Sequence, residues 1–241
     1  MIVYPNAKIN IGLNVIRKRD DGYHELSSVF YPVLDVYDIL EILPSDKFTI
    51  SSSGIEIPGE GNICEKAWKL LDTDFGIGNV KVHLHKLIPI GAGLGGGSSD
   101  GAFMLKALNE LFDLNINNAQ LENYALQLGA DCPFFIDNIP KYVQGIGEKM
   151  TAIDLDLSAY ELKFIFPELH ISTAEAYGDI TPKIPEPNLL DLINQPIENW
   201  KGKIKNDFEK SIFEQHPKLQ SIKEQLYKDG AIYAAMSGSG A

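Results

Sequence analysis

The sequence predicts an α+β fold, and three observations carry that prediction. The first third of the 241 residues alternates apolar and polar side chains in the manner of paired strands. Around residues 80–112 a strand, a glycine loop and a helix follow one another. Beyond them, capped helical segments are interspersed with a few strand-like runs.

The first strand is read from Ile9, Ile11, Leu13 and Val15 on one face, with Lys8, Asn10 and Asn14 on the other and Gly12 among them. That pattern predicts a half-buried strand whose polar face meets water. Arg17 to Gly22 form a charged turn ending in Asp-Gly, a hairpin signal. Tyr23-His24-Glu25-Leu26 then begin a return strand through Tyr31. Leu34 to Leu43 and Phe48 to Ile57 read as further strands, interrupted by Pro44-Ser45-Asp46 and by Gly54. Asn62 can cap a helix on which Ile63, Ala67, Leu70 and Leu71 share a face. Asp74-Phe75-Gly76 spell a protein-kinase tripeptide, but none of its companion motifs occurs, so the match is coincidental. Val80 to His85 alternate as a strand. His83 and His85 share one face there, with no cysteine or carboxylate cluster to complete a metal site.

The stretch Pro89-Ile90-Gly91-Ala92-Gly93-Leu94-Gly95-Gly96-Gly97-Ser98-Ser99 has glycine at five of the seven positions from 91 to 97. Without Cβ atoms the backbone can approach a ligand closely, and positive φ lets successive N–H groups point into one concavity. Ser98 or Ser99 is placed to cap the helix that follows, whose N-terminal dipole faces the same place, so the expected ligand is a phosphate. Two rival fingerprints fail. Gly91, Gly93 and Gly96 satisfy the dinucleotide spacing, but the acidic residue expected about 20 positions on is missing from Leu114-Asn115-Ile116-Asn117-Asn118. The P-loop pattern needs a lysine where Gly97 stands.

After this helix, through Leu111-Phe112, a second is capped by Asn117 or Asn118 and stopped by Gly129. In Gly129-Ala130-Asp131-Cys132-Pro133, Pro133 suits the first turn of another short helix, so local pattern leaves Asp131 either a cap or a functional carboxylate. Cys132 reads as a small core residue. Tyr142-Val143 and Met150-Ile153 are strands around the turn Gly145 to Glu148, and Asp154 to Ser158 resemble a linker. Leu162 to Phe166 read as a buried strand, and Ser172 or Thr173 starts a helix. Pro182, Pro185 and Pro187 mark a loop, and helices run on to Tyr227. Ala231 to Met236 form a last strand, delivering the small-residue loop Ser237-Gly238-Ser239-Gly240-Ala241.

A formal charge of -12 disfavours nucleic acid or an anionic membrane as partner. Two cysteines are too few for a disulfide framework, no apolar run approaches a membrane span, and Met1 to Pro5 show no signal-peptide pattern. A reduced, cytoplasmic protein is expected.

Three separated motifs combine: Ala7-Lys8-x-Asn10 with Asp21-Gly22-Tyr23-His24, the glycine stretch 89–99, and Gly129-Ala130-Asp131 with the terminal Ser-Gly-Ser-Gly-Ala. Together, over essentially the whole chain, they resemble the GHMP kinases, a family of small-molecule kinases. The opening motifs are similar to those of the members that phosphorylate a cytidine diphosphate-bearing alcohol on the non-mevalonate route to isoprenoid precursors. The resemblance implies a ribosomal protein S5 domain 2-like first domain over residues 1–153 that binds ATP. It implies a second α+β domain with an antiparallel sheet over 154–241, and one shortened at its end, because members usually continue through another strand.

It also implies roles. Lys8 and Asp131 would be catalytic, and Pro89, Ile90, Gly91, Ala92, Gly93, Leu94, Gly95, Gly96, Gly97, Ser98 and Ser99 would hold ATP. Asn10, Tyr23, His24, Thr173 and Tyr177 would bind the cytidyl substrate. Mg2+ would accompany the ATP, with no protein ligand named for it. A nucleotide-dependent oxidoreductase and a catalytically silent ligand sensor on the same fold are the competing classes.

Overall fold

In the computed structural model, residues 1–59, 61–167, 169, 171–178 and 180–238 are described, apart from the side chains of Thr173 and Ala174. The chain divides into two compact units. The first comprises Met1–Lys8, Pro32–Ile90 and Leu94–Ile139; the second comprises Ile9–Tyr31, Gly91–Gly93 and Pro140–Ala241.

The first unit holds a four-stranded sheet of order β1-β4-β6-β5, formed by β1 (Ile2–Val3), β4 (Ile39–Pro44), β6 (Val80–Lys86) and β5 (Thr49–Gly54). β4 runs antiparallel to β6, with Leu40 opposite Leu84, and β5 runs parallel to it, with Ile50 opposite Val82. The parallel pair requires a crossover, which α1 (Ile63–Phe75) supplies. Asn62 caps α1 through a bond from the Cys64 N–H, and Gly76 closes it in the left-handed conformation. Period-two alternation puts Val80, Val82, Leu84 and Lys86 of β6 on the buried side. The helices α2 (Gly96–Leu111), α3 (Asn118–Leu128) and α4 (Phe134–Asp137) complete the unit, and α3 opens with a full capping box between Asn117 and Gln120.

The long strands β2 (Asn6–Lys18) and β3 (His24–Tyr37) pass through both units, joined at the predicted Asp-Gly hairpin. They continue a second sheet of order β2-β3-β7-β8 with β7 (Lys141–Gly145) and β8 (Lys149–Ala152), antiparallel from β3 onwards. Helices α5 (Thr173–Gly178), α6 (Leu189–Ile193), α7 (Phe208–Gln215) and α8 (Pro217–Lys228) pack in the second unit. Its apolar residues form two clusters, Ile11 and Val29 with Leu192 and Trp200, and Leu13 and Val15 with Phe208 and Ile212.

The α+β class holds, and four local expectations are corrected. β2 is buried on both faces: Lys8, Asn10 and Asn14 are all enclosed, so its polar side does not meet water. α2 begins at Gly96 with Gly95 as N-cap and no side-chain cap, so Ser98 and Ser99 lie inside its first turn. Leu162 to Phe166 and Ala231 to Met236 are not strands, because neither has a ladder partner among the described residues; Leu162, Ile165 and Phe166 are exposed. The stretch Asp154 to Ser158 is no free linker. Leu155 and Leu157 pack on the cluster around Trp200, and the Leu157 N–H donates to Tyr31 Oη.

Candidate active site

In the first unit, the Lys8 N–H donates to the Leu94 carbonyl at 2.9 Å, which ties β2 to the end of the glycine loop. Its ammonium lies 3.4 Å from Asp131 Oδ2, with the lysine side chain 5% exposed and the aspartate 34%. The turn that presents Asp131 is held by the Cys132 N–H on the Gly129 carbonyl and the Phe134 N–H on the Asp131 carbonyl. The N-cap of α4 is Pro133, without a side-chain bond, so the Asp131 carboxylate is not consumed as a cap. An ion pair partly open to solvent is a modest stabiliser.

Gly95 adopts a φ of +68°, and a Cβ there would stand 3.0 Å from Lys8 Cγ and 3.1 Å from Phe135 Cζ. Only glycine lets the loop lie on the lysine side chain. The helix that follows is 16 residues long and starts with no side-chain cap among the described residues. Ser98 lies beside Cys132, whose thiol is pushed up to about 11 by burial, so it stays neutral at ordinary pH. Ser99 is fully enclosed, and its hydroxyl has no partner among the described residues.

Beneath the start of α2 lies a charged cluster that the sequence reading missed. Lys86 Nζ donates to Asp38 Oδ2 at 2.5 Å and to Asp100 Oδ2 at 2.6 Å, and all three residues are buried. Asp38 Oδ1 also accepts from the N–H groups of Leu87 and Ile88, at 2.6 and 2.8 Å. Burial lowers the Lys86 pKa, but the two carboxylates outweigh it and the net shift is upward. Asp100 is pushed up to about 8, first by burial, with Lys86 opposing and Asp38 adding to the rise.

In the second unit, Gly93 takes a φ of +71°, and a Cβ there would fall 2.2 Å from the Ser237 carbonyl oxygen. Ser237 Oγ donates to the Gly93 carbonyl at 3.2 Å and accepts from the Asn10 N–H at 3.1 Å. The beginning of the terminal small-residue loop is thus seated on the glycine loop; Ser239, Gly240 and Ala241 lie outside the described residues. The Asn10 side chain is buried and donates to Ser28 Oγ at 3.0 Å. Of the aromatic residues, His24 and Tyr177 are stacked, with ring centroids 4.8 Å apart and an interplanar angle of 29°. Phe208, which the sequence does not single out, packs against Tyr177 in a T-shaped arrangement at 4.8 Å. Tyr23 is 61% exposed on the hairpin. Thr173 opens α5, but its side chain lies outside the described residues.

His83 and His85 bond Ser51 and Ser53 on the neighbouring strand. Among the described residues no group of three or more His, Cys, Asp or Glu could hold a metal ion, and no helix is long and apolar enough to cross a membrane.

The family model for the GHMP kinases N terminal domain matches residues 62–138, which include the glycine loop, α2 and Asp131. A 4-diphosphocytidyl-2-C-methyl-D-erythritol kinase of Bacteroides fragilis is 50% identical over 246 residues, covering 100% of this chain and 89% of the relative. Its counterpart from Bacteroides thetaiotaomicron is also 50% identical over 246 residues, with the same 100% and 89% coverage. The crystal structure of a 4-(cytidine 5'-diphospho)-2C-methyl-D-erythritol kinase superposes with a TM-score of 0.80 at 31% identity, covering 100% of this chain and 88% of that one. This chain belongs to the GHMP kinases and, within them, to the 4-diphosphocytidyl-2-C-methyl-D-erythritol kinase family.

Proposed function

We propose that the chain transfers the terminal phosphoryl group of ATP to the 2-hydroxyl of 4-diphosphocytidyl-2-C-methyl-D-erythritol, a step of non-mevalonate isoprenoid precursor synthesis. The observation that carries the reading is the 3.4 Å approach of Lys8 to Asp131 within the unit where Gly95 rests against Lys8. Membership of the kinase family over the whole chain supports it.

Phosphoryl transfer asks a protein mainly for positioning and charge neutralisation. In this reading Asp131 accepts the proton of the acceptor hydroxyl as its oxygen bonds to phosphorus and ADP departs. Lys8, paired with Asp131, offsets charge on the transferring group. Residues 89–99 hold the ATP phosphates. The left-handed Gly91, Gly93 and Gly95 and the uncapped start of α2 fit an anion. Asn10, Tyr23, His24, Thr173 and Tyr177 hold the cytidyl half, with the stacked His24 and Tyr177 rings supporting a role in binding a flat base. Mg2+ bound with the nucleotide would neutralise phosphate charge. The ATP-binding domain 1–153, the second domain 154–241 and a cytoplasmic location belong to the same reading.

A coupled assay of ADP release with the cytidyl alcohol as acceptor tests it. ADP should form only when acceptor and ATP are both present. No release, or equal release with the acceptor lacking its cytidine half, would overturn the assignment.

A further inference from the structure

We propose that Lys86, Asp38 and Asp100 form a buried clamp holding both ends of the phosphate loop, and that Asp100 is a positioning residue whose charge sets nucleotide affinity. This rests on the reading of residues 89–99 as the ATP cradle.

The clamp begins with register. Lys86 continues the parity of Val80, Val82 and Leu84, so β6 carries an ammonium into the core at the point where the strand gives way to the loop. A buried cation persists only with partners. Asp38, just before β4, binds it and also takes the Leu87 and Ile88 N–H groups, which fixes the chain entering the loop. Asp100 binds the same ammonium from the first turns of α2, and a Cβ on Gly96 would stand 3.0 Å from Lys86 Nζ. The chain leaving the loop is therefore held to the same nitrogen as the chain entering it.

One ammonium between two carboxylates leaves one negative charge in excess, in a place where an uncompensated charge is costly. Asp38 accepts from three donors. Asp100 accepts from Lys86 through Oδ2 and lies beside the Asp38 carboxylate, and among the described residues its Oδ1 is enclosed without a partner. The excess proton therefore settles on Asp100, in keeping with its carboxyl being pushed up to about 8. The groups facing it are Lys86 from β6, Asp38 from the β3–β4 link and Cys64 from α1, whose thiol burial holds well above its usual range; α3 brings the apolar Leu128 to the adjacent Gly101. Near pH 7 the clamp is neutral overall. Above pH 8 Asp100 ionises and places a negative charge under the helix start that faces the phosphates.

The test is binding of ATP with Mg2+, by calorimetry without acceptor, at about pH 7 and pH 9 for the wild type and Asp100→Asn. The amide mimics the protonated carboxyl, so the variant should match the wild type at pH 7 within about twofold. Wild-type affinity should fall by at least about threefold at pH 9 while the variant's stays level, ligand titration being common to both. An equal fall in both proteins, or none in either, would overturn the proposal. Should Asp100→Asn not fold, the wild type alone decides: the infrared band of a buried protonated carboxyl must be present at pH 7 and lost by pH 9. Binding as described without turnover of the cytidyl alcohol would leave this inference standing and remove only the acceptor. Absence of ATP binding at both pH values would overturn it together with the ATP reading.

Discussion

The ammonium of Lys8, on β2, and the carboxylate of Asp131, in the turn before α4, lie 3.4 Å apart, brought together from distant parts of the sequence. Pro133 is the N-cap of α4, so the Asp131 carboxylate does not cap that helix. Asp131→Asn keeps the shape and removes the base. It is expected to lower kcat by roughly 10²- to 10⁴-fold while leaving ATP affinity nearly unchanged. Steady-state kinetics with calorimetric binding of ATP will show this, and an unchanged kcat would reduce Asp131 to a structural partner of Lys8.

Gly95→Val is expected to weaken ATP binding by roughly tenfold or more. A β-branched residue is strained at a φ of +68°, and its Cβ would press on Lys8 Cγ and Phe135 Cζ at 3.0 and 3.1 Å. Nucleotide binding and thermal unfolding should be measured on the same sample. Loss of affinity in a folded protein supports the cradle, whereas full affinity would return the loop to a plain connection.

What could be read from the sequence follows from what is local. The α1 and α3 caps, the Asp-Gly hairpin and the parity of β6 depend on neighbours a few residues away, and all appear as expected. Alternation cannot say whether the second face of a strand meets water or more protein, so the enclosed Lys8, Asn10 and Asn14 of β2 were misread. Leu162 to Phe166 had the apolar content of a strand, but pairing depends on a distant segment that composition does not reveal. The Lys86 clamp did leave a signal, a cation at the parity of three buried apolar residues, yet its partners Asp38 and Asp100 come from other elements. The stacking of His24 on Tyr177 has no local signature at all; only the family resemblance pointed to the pair.

Stability should carry the mark of Asp100. With its carboxyl at about 8 in the folded protein against an ordinary value of 3.8, the folded state holds a proton between those limits that the unfolded chain has released. Stability therefore falls as pH rises from about 4 towards 8 and levels off above. Asp100→Asn does not titrate, so its Tm relative to the wild type should climb across that window and then become constant. Scanning calorimetry at unit pH intervals will register the trend, and a pH-independent difference would place an ionised Asp100 in the neutral-pH protein.

The acceptor is the most specific element of the functional reading, and the aromatic pair offers the way to test it. His24 and Tyr177 are stacked with centroids 4.8 Å apart, and Tyr177 also packs at a steep angle against Phe208, so the pair is an aromatic surface joined to the core. Stacking of a base on such a surface is worth about 1–3 kcal/mol, while discrimination of cytosine needs hydrogen bonds to its polar edge. Tyr177→Ala is accordingly expected to raise KM for the cytidyl alcohol by roughly 5- to 100-fold, with KM for ATP nearly unchanged. The change also strips a contact from Phe208, so its Tm must be followed to separate loss of stacking from loss of fold. Tyr23→Ala supplies the cleaner companion, because that side chain is exposed and its removal disturbs no core. It too is expected to raise KM for the cytidyl substrate alone. Insensitivity of that KM to both changes, in folded proteins that still bind ATP, would remove the cytidyl assignment and leave a kinase acting on a different alcohol.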